Sequence, residues 1–80
     1  MTNKSSLKWR CRRGIREMDI LLQRFLEKHF DSLSSEEQKI FEQLLNESDM
    51  DIMAWIMEKA TPADKFEKII KLLRENNSAL

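Results

Sequence analysis

Apolar residues recur at helical spacing along almost the whole chain, and this periodicity constrains the fold more than any other feature of the sequence. The periodic runs are rich in Leu, Ile, Met, Glu and Lys, which favour helices. One glycine and one proline in 80 residues leave little material for tight turns. The sequence therefore predicts an all-α fold, a compact five-helix bundle that forms a single domain.

The first two helices are separated by the single glycine. We expect the first helix over residues 5–13, with Gly14 at its C-terminal end, because glycine adopts the left-handed conformation without a steric penalty. The second is expected over residues 15–29. Ile20 falls on the polar side of this second helix, so it is either exposed or covered by another segment or a partner.

The remaining three helices are placed by their N-terminal signals. Ser34 and Glu37 have the spacing of a capping box, which opens the third helix. The fourth begins near Asp49. The fifth is expected to open with Thr61 as its cap and Pro62 at the first helical position.

The apolar stripes of the helices are interpreted as the core. Met50, Met53 and Met57 are assigned to it as gap-filling side chains rather than to an adaptable binding groove. The domain is expected to span residues 1–80, with an ordered core over about 6–75 and frayed tails at both ends. The other stripe residues are Ile15, Met18, Leu22, Phe25, Leu26, His29, Ile40, Phe41, Leu44, Leu45, Ile52, Ile56, Phe66, Ile69, Ile70 and Leu73.

Catalytic and metal chemistry find little support in the sequence. One histidine and one cysteine do not form a ligand set, and one glycine cannot build a phosphate-binding loop. His29 is expected to pack or to face a helix end, and Cys11 to be a small buried residue despite its arginine neighbours. We therefore predict that the chain is not an enzyme and holds no metal.

Charge is balanced in total but uneven along the chain. Residues 1–16 carry six bases and no acid, whereas residues 17–51 carry ten acids against three bases. The basic end would attract phosphate, but the acidic body and a pI near 6.6 argue against a nucleic-acid partner. No apolar run approaches the ~18–20 residues of a membrane span, so we expect a cytoplasmic protein without direct membrane insertion.

The stretch WRCRRGIREMD, which begins at Trp9, surrounds the glycine with charge. A helix end explains part of it, because Glu17 and Asp19 suit the positive start of a helix and Gly14 suits the end of the previous one. The four-residue spacing of Trp9, Arg13 and Glu17 is left unexplained. If helical geometry persists through the junction, these three share one side, and their composition is typical of a protein interface.

The same stretch carries a family resemblance. It contains Arg-Gly-x-x-Glu, preceded by Trp9-x-Cys11-Arg12 and followed by DSLSSEE, Trp55 and PADKFEKIIKLLR. In this combination, about residues 7–74 resemble the flavinylation assembly factors of succinate dehydrogenase, also called flavinators. Bacterial members also carry an older label as the antitoxin half of a toxin–antitoxin pair.

The resemblance implies a five-helix protein that binds the flavoprotein subunit of succinate dehydrogenase, and in some bacteria that of fumarate reductase. It would act as a chaperone that promotes covalent attachment of FAD to a histidine of this client, so that FAD is the client's cofactor and this chain holds none stably. The free chain is expected to be a monomer. The alternative is an antitoxin-like regulatory protein that binds a different partner.

The resemblance, joined to the physical argument, also predicts a partner-binding site. Arg13 and Glu17 would contact the client through their polar groups, and Gly14 would let the client's backbone approach closely. The full set of predicted partner-binding residues is Trp9, Arg12, Arg13, Gly14, Arg16, Glu17 and Asp19.

Overall fold

The computed structural model describes residues 4–78, which form five α-helices and no strand. The prediction of an all-α, five-helix single domain is confirmed. Two short 3-10 turns, Phe30–Ser32 and Asp64–Phe66, precede the third and fifth helices. The helices are α1 (Lys4–Arg10), α2 (Arg16–His29), α3 (Ser35–Leu44), α4 (Asp49–Ile56) and α5 (Glu67–Ser78).

One apolar core joins the five helices. α2 packs against α1 and α5, and α5 also contacts α3 and α4. Phe41 lies at the centre, with its ring centroid 5.3 Å from that of Phe25 and 5.9 Å from that of Phe30. The buried apolar side chains are Leu7, Cys11, Met18, Leu21, Leu22, Phe25, Leu26, Phe30, Phe41, Leu44, Leu45, Ile52, Ile56, Phe66, Ile69, Ile70 and Leu73.

The predicted capping box at the start of α3 is confirmed. The Ser34 hydroxyl accepts a hydrogen bond from the Glu37 amide at 3.1 Å, and the Glu37 carboxylate accepts one from the Ser34 amide at 2.9 Å. α4 begins at Asp49 as expected, with the hydroxyl of Ser48 accepting from the amide of Asp51. These local signals fix the start of two helices.

The first helix ends three residues earlier than predicted. α1 ends at Arg10, and Gly14 lies in a non-helical junction rather than at the helix cap. The reason is a competing hydrogen bond: the Arg13 amide donates to Oδ1 of Asp19 at 2.6 Å, so it does not donate to the carbonyl of Trp9 as a continuing helix would require. Gly14 still has a backbone conformation that favours glycine, since its φ is +92°.

The predicted start of the fifth helix is also wrong. Residues 61–63 are not helical, and Ala63 is extended with φ −59° and ψ 149°. Pro62 and Phe66, on either side of this extended residue, are both buried. Packing of these two side chains thus replaces the expected proline-led helix start, and α5 begins only at Glu67.

Two of the three methionines assigned to the core are exposed. Met50 is 82% exposed and Met57 is 55% exposed, whereas Met53 is half-buried against the core. α4 has only eight residues and buries just Ile52 and Ile56, which lie four residues apart on one face. A helix of two turns cannot turn the other methionines inward as well.

The remaining differences concern the edges of the domain. Ile20 is exposed, in line with one of the two options left open for it. His29 is exposed too, although its ring packs 5.5 Å from that of Phe25 and its Nε2 lies 3.2 Å from Oδ1 of Asn76. The predicted frayed tails fall partly outside residues 4–78 and stay a prediction. Within that range, no helix combines the length and apolar character needed to cross a bilayer.

Candidate functional site

Trp9 stands out on the surface of α1. Its side chain is 74% exposed, on the last turn of the helix. The guanidinium carbon of Arg12 lies 5.5 Å from the centre of the indole ring, a cation–π arrangement that steadies both side chains. Ser5 and Lys8 complete a shallow groove beside them. A large exposed aromatic next to an arginine is the kind of anchor that dominates binding energy at protein interfaces.

Gly14 is exposed, and the space above it is open. A Cβ atom built on this residue meets no heavy atom within 4 Å. Packing within this chain therefore leaves room for a side chain at residue 14. Glycine is favoured there by its positive φ alone. A partner can approach the backbone here without displacing any part of this chain.

Arg13 points into the protein instead of toward solvent. Its side chain is only 14% exposed, and its Nη1 donates to the carbonyl of Leu45 at 2.6 Å. Nε donates to Oδ1 of Asp49, and Nη2 donates to the carbonyl of Glu47. All three guanidinium nitrogens are therefore used to hold the junction between α3 and α4.

Arg10 binds the same segment from the end of α1. Its Nη2 donates to the carbonyl of Glu42 at 2.9 Å and to Oδ1 of Asn46 at 2.6 Å. The last carbonyls of a helix have no partner within it, and Arg10 and Arg13 supply donors at the end of α3. We call this arrangement the arginine clamp: Arg10 and Arg13 bound to residues 42–49. The sequence does not predict this clamp, because no local signal links residues more than thirty positions apart.

The predicted alignment of Trp9, Arg13 and Glu17 on one side is not formed. It required helical geometry through the junction, but residues 11–15 are not helical. Trp9 and Glu17 are exposed, whereas Arg13 is largely covered. Arg13 thus lies behind the candidate site and supports it.

The first turn of α2 supplies the other predicted site residues. Arg16 and Glu17 are exposed and form no ion pair among residues 4–78. Asp19 is half-buried, and its carboxylate holds the Arg13 amide beside Gly14. Asp19 therefore shapes the glycine turn, while Arg16 and Glu17 remain available to a partner.

Cys11 contributes to the core rather than to chemistry. It is fully buried, and burial raises the pKa of its thiol to about 11, against the opposing effects of Arg13 and Arg10. The prediction of a small buried residue is confirmed. In the described part of the chain, no group of three or more His, Cys, Asp or Glu side chains is placed to hold a metal ion.

Comparison with known proteins gives consistent matches. Residues 5–77 match the family described as "Flavinator of succinate dehydrogenase". The chain is 42% identical over 73 residues to the FAD assembly factor SdhE of Coxiella burnetii, covering 90% of this chain and 89% of that protein. It is 40% identical over 78 residues to the protein of that name from Yersinia pseudotuberculosis, covering 96% and 89%. The Pectobacterium atrosepticum protein of that name is 37% identical over 76 residues, covering 94% and 86%.

Proposed function

The chain belongs to the family of flavinators of succinate dehydrogenase, and we propose that it binds the flavoprotein subunit of that enzyme and promotes covalent attachment of FAD to it. The resemblance inferred from the Arg-Gly-x-x-Glu motif and its surroundings is confirmed by the family match. The names of the relatives, FAD assembly factors, support the direction of the proposal. The flavoprotein of fumarate reductase is a second client that we propose, because the family resemblance implies it.

The observation that carries the proposal is the open surface around Gly14. The structure offers an exposed indole at Trp9, exposed charges at Arg16 and Glu17, and an unobstructed backbone at Gly14 between them in sequence. Such a surface suits a protein partner. Its features do not constitute an active site, so we propose a chaperone without catalysis of its own.

The mechanism that fits this surface is selection of a client conformation. A protein that binds the reactive conformer of its client more tightly than the others raises the population of that conformer. The client's own groups then carry out the attachment, with the reacting atoms held in place. This chain needs neither a stably bound FAD nor a metal for such a role, and we propose that it holds neither.

Within the site, we assign two kinds of role. Trp9, Arg12, Gly14, Arg16 and Glu17 are proposed to contact the client. Arg13 and Asp19 are proposed to position those residues, Arg13 through the arginine clamp and Asp19 through the turn at Gly14. We further propose that the free protein is a monomer and that it acts in the cytoplasm.

The test is covalent flavin on the co-expressed client, measured by in-gel fluorescence after denaturation. Gly14→Arg should abolish it, because a long side chain fills the open space above the turn. Gly14→Ala is the matched control: it carries the same backbone penalty, about 1 kcal/mol, but leaves the space nearly open. Glu17→Ala should reduce flavinylation while the melting temperature stays close to that of the wild type.

Two results would count against the proposal. Normal flavinylation with both Gly14→Arg and Glu17→Ala would show that the site is elsewhere on the molecule. Unchanged covalent flavin in cells that lack this chain would refute the function itself. Thermal melting of each variant separates loss of the site from loss of the fold.

A further inference from the structure

We propose that an apolar groove between α2 and α4 forms a second contact with the flavoprotein client, and that it receives an apolar side chain lying next to a cationic residue. This inference rests on the proposed function. It extends the interaction surface from the junction at Gly14 onto α4. We call this feature the α2–α4 groove, and it is lined by Glu17, Met18, Leu21, Met53, Ile56 and Met57.

The lining is apolar except for one residue. α2 contributes buried Met18 and Leu21, and α4 contributes Ile56 and the half-buried Met53. Met57 forms an open edge, with 55% of its side chain exposed. Exposed thioether side chains are flexible and polarizable, so they adapt to an apolar partner group that a rigid surface would fit less well.

The groove is continuous with the site at the α1–α2 junction. Glu17 belongs to both, because it is the acidic residue of the Arg-Gly-x-x-Glu motif and also lines the groove. The arginine clamp joins the two surfaces mechanically, since Arg13 in the junction binds Asp49 at the first position of α4. A client that docks at Gly14 therefore meets the groove in a fixed relation to it.

Charge determines the chemistry of the expected occupant. Glu17 is the only charged residue in the lining and forms no ion pair among residues 4–78. A partner that covers this carboxylate removes it from water, which is costly unless a positive group replaces the lost hydration. The occupant should thus carry an arginine or lysine beside its apolar side chain.

The same charge argues against a second copy of this chain as the occupant. A symmetric dimer through the groove would use the same patch on both copies. It would bring two Glu17 carboxylates toward one another in a partly dry interface, where like charges repel more strongly than in water. The client is therefore the favoured partner, and self-association is one result that the test must be able to reveal.

The first test uses the wild-type chain with the purified flavoprotein subunit of the same organism's succinate dehydrogenase. Dilute hydrogen peroxide converts accessible methionines to sulfoxides, and mass spectrometry gives the rate at each position. In the complex, oxidation of Met57 should slow on the order of tenfold. Met50 serves as an internal control, because it lies on α4, the helix that Met57 caps, is 82% exposed and does not line the groove. Its rate should be unchanged.

The second test measures affinity for the same subunit by calorimetry. Met57→Glu should weaken binding about tenfold or more, because it places a second carboxylate at the groove and removes apolar contact. Met50→Glu, the same substitution in the first turn of α4, should leave affinity within about twofold. Glu17→Lys should weaken binding more than Glu17→Gln, since only the lysine repels a cationic occupant.

Each result decides between distinct explanations. If the complex forms, Gly14→Arg abolishes it and Met57 still oxidises at its free rate, the groove proposal is wrong while the proposed function stands. If Met57 becomes protected when the free chain alone is concentrated, the occupant is a second copy and the proposal is overturned. If the wild-type chain does not bind the flavoprotein at all, the proposed function and the groove proposal fail together. Should Met57→Glu unfold, the oxidation rates of the wild type still decide the matter.

Discussion

Arg13 connects the α1–α2 junction to a segment 32 to 36 positions further along the chain. A planar guanidinium can satisfy three acceptors in different directions at once, whereas a lysine ammonium on a flexible stem cannot reproduce this fork. We therefore expect Arg13→Lys to lower the free energy of unfolding by about 2 kcal/mol, measured by urea denaturation. Arg12→Lys, at an exposed neighbour, should change it by less than about 0.5 kcal/mol.

A double-mutant cycle measures how much of this loss of stability comes from the ion pair between Arg13 and Asp49. Asp49→Asn and Arg13→Lys remove the same contact, so their effects on unfolding should be less than additive in the double variant. Both single variants should also reduce client flavinylation, since the clamp fixes the junction. Stability equal to that of the wild type in Arg13→Lys would mean that the guanidinium is not structural.

At this scale, the sequence predicted residues whose requirements are local. Gly14 has the positive φ that a lone glycine among charges suggests, Trp9 is exposed, and Cys11 is buried. The role of Arg13 was not predictable, because its acceptors are mainly backbone carbonyls. A carbonyl is present at every residue, so it leaves no signature in the sequence.

Among the helices, α4 has an unusual C-terminal end. The amide of Lys59 donates to the carbonyl of Ala54 at 2.8 Å, and the amide of Glu58 donates to that of Trp55 at 3.2 Å. This is a Schellman motif, in which the residue at the position of Glu58 adopts a positive φ, here 60°. Glycine normally occupies this position because a Cβ is strained there.

Glu58→Gly should therefore stabilise the protein by about 0.5–1 kcal/mol and raise the melting temperature by a few degrees. The contact that it removes, 3.9 Å from Nη1 of Arg74 to the Glu58 carboxylate, is exposed and weak. Lys59→Gly is the matched control. It relieves no positive φ and should lower stability through the greater freedom of the unfolded chain. Equal effects of the two substitutions would contradict the strain argument.

The start of α3 gives a prediction about pH. A hydrogen bond from Lys68, and then one from the Ser34 amide, lower the pKa of Glu37 from 4.5 to about 2. A lowered pKa in the folded state means that the ionised carboxylate stabilises the fold above about pH 4.5, and that this contribution is lost as pH falls toward 2. Melting curves of Glu37→Gln should therefore lie below the wild type at pH 7 and converge with it near pH 2.

Glu36→Gln is the control for this experiment. It removes an acidic group from the same turn without touching the contacts of Ser34 or Lys68. The difference in melting temperature between Glu36→Gln and the wild type should not change with pH in the way that it does for Glu37→Gln. If the melting temperature of Glu37→Gln stays below that of the wild type even under pH 2, ionisation of Glu37 is not the source of the difference.

The helices also show which boundaries a sequence can specify. The capping box of α3 depends on two residues three positions apart, so the pattern alone was sufficient. The start of α5 depends on burial of Pro62 and Phe66, and the orientation of Met50 and Met57 depends on the shortness of α4. Such outcomes are decided by packing between distant helices, which helical spacing cannot encode.

In the folded molecule, acidic side chains from elsewhere in the chain offset part of the positive charge at the N-terminal end. Of the bases in residues 5–16, Arg13 pairs with Asp49 and Lys8 lies 3.6 Å from Glu27, whereas Arg10 is bound to uncharged acceptors and keeps its charge. The exposed guanidinium groups of this end are those of Arg12 and Arg16. Long-range attraction to a client therefore rests on few charges.

We expect salt to weaken binding to the flavoprotein, on the order of tenfold between about 0.05 and 0.5 M, because the charges at the junction are screened. Calorimetry across this range measures the effect. Arg16→Gln should flatten the salt dependence, whereas Lys39→Gln, at an exposed base on α3, should leave it unchanged. Affinity independent of salt would favour an apolar interface built on Trp9 and Ile20.

The buried thiol of Cys11 allows the opening of α1 to be measured by thiol labelling. It is the sole cysteine, it is fully covered where α1 joins the core, and its pKa of about 11 keeps the reactive thiolate scarce. A thiol reagent can reach the sulfur only in moments when α1 detaches, so the labelling rate measures the free energy of that opening, separately from global unfolding. The labelling rate of Cys11 therefore reports the opening of the segment that carries Trp9, and it can be measured with and without the client present.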